Sequence, residues 1–212
     1  MLQPPVAQRL ELVLADARRL GFLGPGPVAD QVARSLAFAT TAGAPPDGLA
    51  VDLGTGGGLP GLVLALAWPD SHWLLIDSNH RRASWLKSAT GEFGIASRVE
   101  VACERAERLG RGARRQTADL VTARGFGPPG PTAECAAPLL RLRGRLLVAD
   151  PPQGQVDRWP TTGLDRLGLE LDSTAVVTTP AGPISITCIV ATSDCGPLYP
   201  RRVGVPFKRP LF

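Results

Sequence analysis

Short apolar runs of strand character recur along this chain, separated by helix-like or loop-rich stretches. Five of them occupy the middle of the sequence: Leu49–Leu53, His72–Asp77, Val99–Cys103, Ala118–Ala123 and Gly144–Ala149. Such alternation is typical of a parallel sheet with helices on both faces. Two later runs, 173–179 and 184–192, flank a Pro-Ala-Gly-Pro turn and predict an antiparallel hairpin at the sheet edge. The pattern predicts an α/β fold with a mostly parallel seven-stranded sheet.

Helical spacing of apolar residues precedes the first strand. Residues 7–20 place apolar side chains three or four positions apart until Gly21, and residues 28–42 predict a second helix. A chain of 212 residues buries one sizeable core, and a second independent domain would leave little room for either. We therefore divide the chain into a short N-terminal helical region (1–47), one α/β domain (48–196) and a C-terminal tail (197–212).

Composition excludes several classes of protein. With 44% hydrophobic and 20% charged residues, the chain has an ordinary globular composition, and no apolar run approaches the ~18 residues of a membrane span. Residues 1–5 lack the basic start of a signal peptide, so a cytoplasmic location is expected. Cys103, Cys135, Cys188 and Cys195 show no CxxC spacing, which argues against a metal site and a disulfide framework. We expect a monomer without a metal ion.

The net charge of +4 is concentrated in the tail. Its last sixteen residues contain no acidic side chain and four basic ones: Arg201, Arg202, Lys208 and Arg209. Because the rest of the chain is balanced, the tail either contacts an anionic partner or is a packed structural arm.

A glycine-rich turn follows the first strand. Residues 49–53 run into Gly54-Thr55-Gly56-Gly57-Gly58-Leu59-Pro60-Gly61, and a helix-like apolar run follows. Glycines allow a sharp turn and a close approach of backbone to ligand, and proline suits the first turn of a helix. The segment therefore predicts a ligand site made of a strand, a tight turn and a helix N-terminus.

Two cofactor classes use this arrangement. Residues 56–61 spell GxGxxG and Asp77 follows Gly56 by twenty-one residues, which would also suit a nicotinamide cofactor. Asp52, just before the glycines, would repel a pyrophosphate, whereas S-adenosylmethionine carries no phosphate and presents an ammonium and a sulfonium. Asp77 would then accept hydrogen bonds from the ribose hydroxyls, unless it or Ser78 merely caps a helix. We therefore predict a methyltransferase that uses S-adenosylmethionine.

Several motifs together resemble one family. They are residues 51–61, Leu75-Ile76-Asp77-Ser78 with Arg81 and Arg82, Arg105-Ala106-Glu107, Thr122-Ala123-Arg124-Gly125-Phe126, and the tail 199–211. In order and spacing they are similar to the RsmG (GidB) family, which methylates N7 of a guanine in bacterial 16S ribosomal RNA. The resemblance implies a Rossmann-like class I methyltransferase and a partner that is 16S rRNA or the small ribosomal subunit.

The resemblance also implies roles for single residues. Gly54 and Leu59, with Gly56 in the same turn, would line the methionine side of the cofactor. Ala106 and Glu107 would lie beside the adenine. Arg124 would face both cofactor and substrate as a catalytic residue that orients guanine through O6 or a phosphate. The basic tail would bind RNA phosphates.

The chain departs from the family pattern at three places. It has no Asn-Leu-Thr near its start, and the helix over residues 31–36 lacks the usual histidine. After the fifth strand, Asp150-Pro151-Pro152 replaces the usual lysine and glycine, which reverses the charge. Because two prolines would stiffen the strand end, we predict that Asp150 points at the substrate pocket as a catalytic residue. The likeness of this tripeptide to the motif of amino-group methyltransferases is taken as coincidence, since theirs follows the fourth strand.

Two alternatives stay open on the sequence alone. A diverged methyltransferase for a small molecule or a peptide would explain the missing lysine but not the basic tail. A cofactor-binding protein without transfer activity would need the glycine-rich turn and nothing more. If guanine N7 is the acceptor, no general base is required, because its lone pair carries no proton.

Overall fold

The computed structural model describes residues 2–151 and 157–212. A seven-stranded sheet forms its centre, with strand order β3-β2-β1-β4-β5-β7-β6. The strands are β1 Leu49–Leu53, β2 His72–Ile76, β3 Val99–Ala102, β4 Ala118–Ala123, β5 Leu140–Asp150, β6 Leu169–Thr179 and β7 Gly182–Ala191. Strands β1 to β5 pair in parallel, and β7 runs antiparallel to both β5 and β6. The predicted α/β class and C-terminal hairpin are confirmed.

Helices cover both faces of the sheet. They are α1 Pro4–Arg19, α2 Val28–Ala42, α3 Gly61–Ala67, α4 His80–Glu92, α5 Ala106–Leu109, α6 Pro129–Ala136, α7 Thr161–Asp165 and α8 Val205–Lys208. No helix in the described ranges has the length and apolarity needed to cross a bilayer. The same residues contain no cluster of histidine, cysteine, aspartate or glutamate suited to a metal ion.

Alternate side chains of the strands pack into two apolar cores, one on each face of the sheet. Ala50 of β1 belongs to the core beneath α1–α4, whereas its neighbours Val51 and Leu53 belong to the core beneath α5–α7. Successive side chains of a strand point to opposite faces, so a strand buried on both sides is apolar throughout. Burial raises the pKa of Cys188, on β7, to about 11, in keeping with a small buried side chain.

The register of the parallel strands positions the functional site. Leu53, the last residue of β1, lies beside Ile76 of β2 on one side and Ala123 of β4 on the other. The three strands therefore end level, and the loops that follow them meet at one edge. Ligands of open α/β sheets bind at this carboxyl edge, where the strand order reverses.

Candidate active site

The turn after β1 requires glycine for two physical reasons. Gly54 has φ +63°, and a Cβ built on it would lie 2.7 Å from Cδ2 of Phe126. At Gly61, where α3 begins, an added Cβ would lie 2.6 Å from Cβ of Asp52. The first glycine permits the left-handed backbone, and the second permits close packing of helix on strand.

Asp52 lies behind the turn and has no exposed surface. Its Oδ2 accepts a hydrogen bond from the Gly61 N–H at 2.9 Å, and its Oδ1 accepts one from the Thr122 hydroxyl at 2.7 Å. Burial raises the pKa of Asp52 to about 6. Because Asp52 is fully buried and lines none of the cavities described below, this residue of the predicted cofactor site would act on a ligand through its charge and by holding the turn.

Asp77 follows β2 and faces the cavity beside the turn. Its Oδ2 accepts a hydrogen bond from the Gly56 N–H at 3.0 Å, and its Oδ1 accepts one from the Asn79 N–H at 2.8 Å. Asn79, and not Asp77 or Ser78, caps α4 by accepting from the N–H groups of the two residues that follow His80. Asp77 is thus held in place by the glycine turn and is not used as a helix cap.

A cavity of about 380 Å³ opens between Asp77 and the start of α5. Gly54, Ala106, Glu107 and Phe207 also line it, so the turn and the Arg105-Ala106-Glu107 motif meet here as the sequence predicted. The structure adds the aromatic side chain of Phe207, which packs edge-on against Phe126 with ring centroids 5.6 Å apart. A cavity lined by both polar and aromatic groups suits a nucleoside.

Glu107 is anchored in the wall of this first cavity. Its carboxylate accepts two hydrogen bonds from Arg105, at 2.9 and 3.2 Å, and one from the Gly204 N–H at 2.9 Å. Burial opposes ionisation, but these donors outweigh it and hold the pKa of Glu107 below its ordinary value. The Glu107 carboxylate therefore joins the tail to α5, whereas Ala106 leaves the cavity open beside it.

A second cavity, of about 420 Å³, lies on the other side of the turn. Gly54 lines both cavities, and Thr55, Gly56 and Leu59 line the second. The Thr55 hydroxyl is the one buried side-chain polar atom without a hydrogen-bond partner in the described parts of the chain. This hydroxyl lies close enough to Asp52 to lower the pKa of that carboxyl, so Thr55 supports the turn from within.

Arg124 stands where the second cavity meets a third, of about 390 Å³, and it lines both. Its guanidinium donates to the Gln31 carbonyl and to the Ser35 hydroxyl, each at 3.2 Å, and also to the Gln31 side chain. Burial lowers the pKa of Arg124, as does nearby Arg34, while Asp52 opposes the shift. A hydrogen bond to an electron-rich or anionic ligand atom would offset the free-energy cost of burying the Arg124 charge.

Asp150 ends β5 and lines the third cavity, and its carboxylate is held by protein donors. It accepts hydrogen bonds from Nε of Arg158 at 2.7 Å, from the indole of Trp159 at 2.9 Å and from the Thr187 hydroxyl at 2.5 Å. Its side chain is 6% exposed. Three protein donors thus hold the Asp150 charge at the wall of the third cavity, and its predicted catalytic role stays a prediction. The Pro152 invoked for that prediction lies outside the described residues.

We expect Asp150→Ala to lower the free energy of unfolding by about 1.5 kcal/mol, because three donors lose their acceptor. Cofactor affinity should not change. Urea denaturation and calorimetry measure the two quantities, with exposed Asp165 replaced by alanine as the control. Full stability together with lost methyl transfer would instead support the predicted catalytic role of Asp150.

The tail is packed onto the domain. Arg201 pairs with fully buried Glu134, its Nε and its second guanidinium nitrogen lying 2.8 and 2.6 Å from the two carboxylate oxygens. Arg202, Lys208 and Arg209 are exposed. Of the four cations predicted to bind RNA, Arg201 is therefore paired with a buried carboxylate, and the other three face solvent.

Sequence reasoning did not single out Phe207 or the acidic residue Asp30 of the third cavity. Phe207 reaches the first cavity through the fold of the tail, which no spacing along the chain reveals. The remaining predicted residues, Gly54, Gly56, Leu59, Asp77, Ala106 and Arg124, line adjoining parts of one cleft.

Known structures share this architecture. An O-methyltransferase from Thermotoga maritima, described as SAM-dependent, superimposes with a TM-score of 0.57 at 14% identity, covering 87% of this chain and 72% of its own. The cyclase SpnF superimposes with a TM-score of 0.58 at 16% identity, covering 77% and 81%. At such identities the likeness shows the fold, which is that of the Rossmann-like class I methyltransferases.

Sequence comparison defines the family. The model of the family described as rRNA small subunit methyltransferase G (GidB) matches residues 30–153. Proteins of that name from Prochlorococcus marinus, Thermotoga neapolitana and Synechococcus elongatus are 36%, 33% and 37% identical to this chain, over 76%, 77% and 76% of it. The alignments span 65%, 72% and 68% of the relatives' lengths. The chain belongs to the rRNA small subunit methyltransferase G family, which confirms the predicted family and enzyme class.

Proposed function

We propose that this chain transfers a methyl group from S-adenosylmethionine to N7 of a guanine in 16S ribosomal RNA. The observation that carries the proposal is the cleft itself. Three cavities adjoin along the carboxyl edge of the sheet, the first two sharing Gly54 and the last two sharing Arg124. Family membership supplies the substrate class, and the cleft supplies room for a nucleoside, a methionine chain and an acceptor base in that order.

The residues present fit S-adenosylmethionine. Asp77 would accept from ribose, Ala106 and Phe207 would border the adenine, and Gly54, Gly56 and Leu59 would hold the methionine end. Buried Asp52 beneath the turn places negative charge next to the helix N-terminus where a pyrophosphate would bind, which favours a cofactor without phosphate. When bound, the cofactor supplies an activated methyl group.

The chain's own part in the reaction is to position the acceptor. N7 of guanine carries a lone pair and no proton, so no residue has to act as a general base. Arg124 would donate to O6, which lies next to N7, and would fix the base at the junction of two cavities. Holding two reactants in line contributes up to about 7–11 kcal/mol in favourable cases.

RNA phosphates would be bound by the exposed part of the tail, which consists of Arg202, Lys208 and Arg209. Changing all three to glutamine should weaken RNA binding and reduce the slope of log K against log salt by about 2, because three phosphate contacts are lost. Titrations at several salt concentrations measure the slope. Glutamine at exposed Arg18, Lys87 and Arg143 removes the same charge elsewhere. An equal loss of slope in both variants would mean that the tail has no specific part.

Methyl transfer in vitro tests the function. Purified protein is incubated with a labelled methyl donor and with unmodified 16S RNA or small subunits, and the RNA is digested to nucleosides. We expect label in 7-methylguanosine. Label in another nucleoside would overturn the N7 assignment, and label only in a peptide or small molecule would favour a diverged enzyme. Cofactor binding without any transfer would favour a non-catalytic protein.

A further inference from the structure

The third cavity is lined by charged residues of both signs. Arg124 also lines the second cavity, where the methyl group would be presented. Asp30, in the first turn of α2, lines the third cavity and not the second. An acceptor base in the third cavity would therefore meet both a guanidinium and a carboxylate.

The other polar groups of this cavity are already engaged. The Gln31 amide donates to the Pro25 carbonyl at 2.7 Å and accepts from Arg124, and Arg34 donates to the Ala181 carbonyl at 2.6 Å. Asp150 accepts from three donors. Within residues 2–151 and 157–212, the Asp30 carboxylate makes no side-chain hydrogen bond or ion pair of its own, so it is the acceptor left for a ligand.

We propose that Asp30 reads the Watson–Crick edge of the acceptor guanine by accepting hydrogen bonds from its N1–H and its exocyclic amine. The proposal rests on the proposed function and assigns its base specificity. Around a guanine ring, N7 is followed by O6, then N1–H, then the 2-amine. In the proposed arrangement Arg124, which borders both cavities, would meet O6, and Asp30, which lines only the third, would meet N1–H and the 2-amine.

The proposed hydrogen bonds of Arg124 and Asp30 would discriminate against bases other than guanine. Adenine has an acceptor at N1 in place of the N–H and has no oxygen for Arg124, so both residues would face unsatisfied partners. A carboxylate offers two acceptor oxygens, which matches the two adjacent donors of guanine. Arg34 and Arg124 line the same cavity, and their positive charges offset the negative charge of Asp30 toward RNA phosphates.

Inosine tests this assignment, because it keeps N7, O6 and N1–H but lacks the 2-amine. Two versions of one 16S RNA are assembled, with guanine or inosine at the methylated position, and kcat/KM is measured on each. The wild-type enzyme should prefer guanine about tenfold, since one charged hydrogen bond is lost with inosine. Asp30→Ala should lower kcat/KM on guanine and bring the ratio near one, while its affinity for S-adenosylmethionine stays unchanged.

The control variant and the melting temperature separate the outcomes. Asp47→Ala removes an exposed carboxylate from the loop before β1 and should keep the wild-type ratio. If Asp30→Ala lowers the melting temperature but keeps the wild-type preference for guanine, Asp30 only stabilises the start of α2 and the inference is overturned. If the wild-type enzyme methylates neither RNA, the proposed function fails, and this inference fails with it.

Discussion

Asp77→Ala should weaken the binding of S-adenosylmethionine about 100-fold, or about 2.7 kcal/mol. The carboxylate would accept from the ribose, and it also holds the Gly56 N–H at 3.0 Å and the Asn79 N–H at 2.8 Å. Its removal therefore loses a ligand contact and at the same time releases the turn that borders the ligand. Isothermal titration calorimetry measures the affinity.

Asp47→Ala is the matched control, because it removes an exposed carboxylate from the loop that leads into β1. It should bind the cofactor as the wild type does, and neither protein should bind NAD. Unchanged affinity in Asp77→Ala would exclude Asp77 from the site. Tight NAD binding without any binding of S-adenosylmethionine would overturn the cofactor assignment.

Arg201→Ala should lower the free energy of unfolding by about 3 kcal/mol, because it leaves a buried carboxylate without its cation. Glu134 is fully buried, and Arg201 contributes three of its hydrogen bonds, at 2.8, 2.8 and 2.6 Å. One of these comes from the backbone N–H and remains in the variant. Urea denaturation gives the stability.

Two further variants sharpen that test. Arg202→Ala removes the neighbouring exposed cation and should change stability by less than about 0.5 kcal/mol. Adding Glu134→Gln to Arg201→Ala removes the stranded charge and should restore part of the loss. Equal stability of the Arg201→Ala and Arg202→Ala variants would mean that the tail is only weakly docked, as an RNA-binding arm would be.

Much of the fold followed from short-range patterns. The second helix lies at residues 28–42 as predicted, and β1 and β4 have their predicted bounds. Strands β2 and β3 each end one residue before their predicted bounds, whereas β5 and β6 are longer because strand pairing extends past the apolar runs. Strand β5 begins at Leu140, which still pairs with β4, and not at Gly144. Strand β6 begins at Leu169, which pairs with Ala191, and not at Ser173.

The directions of charged side chains could not be predicted in this way. The partners of Asp150 lie 8, 9 and 37 residues further along the chain, and Arg201 meets Glu134 across 67 residues. Asp52 was singled out correctly as the unusual acid of the turn, but burial turned its carboxylate inward. Local sequence identifies such residues, whereas packing between distant segments decides what each one contacts.

The glycine-rich turn was predictable because its chemistry is local. A strand, a left-handed glycine and a helix start are encoded within a few residues, and Asp77 is brought to them by the pairing of adjacent parallel strands. Phe207 and Asp30 come from opposite ends of the chain. They become part of the cleft only after the tail and α2 have packed on the domain.

Mapping of modified guanines in 16S ribosomal RNA tests the central claim most directly. In a strain that lacks this gene, one 7-methylguanosine should be lost from that RNA. A plasmid with the wild-type gene or Asp47→Ala should restore it, and Asp77→Ala should restore far less. An unchanged pattern of 16S methylation in the deletion strain would contradict the assignment of this chain as a guanine-N7 methyltransferase of the small subunit.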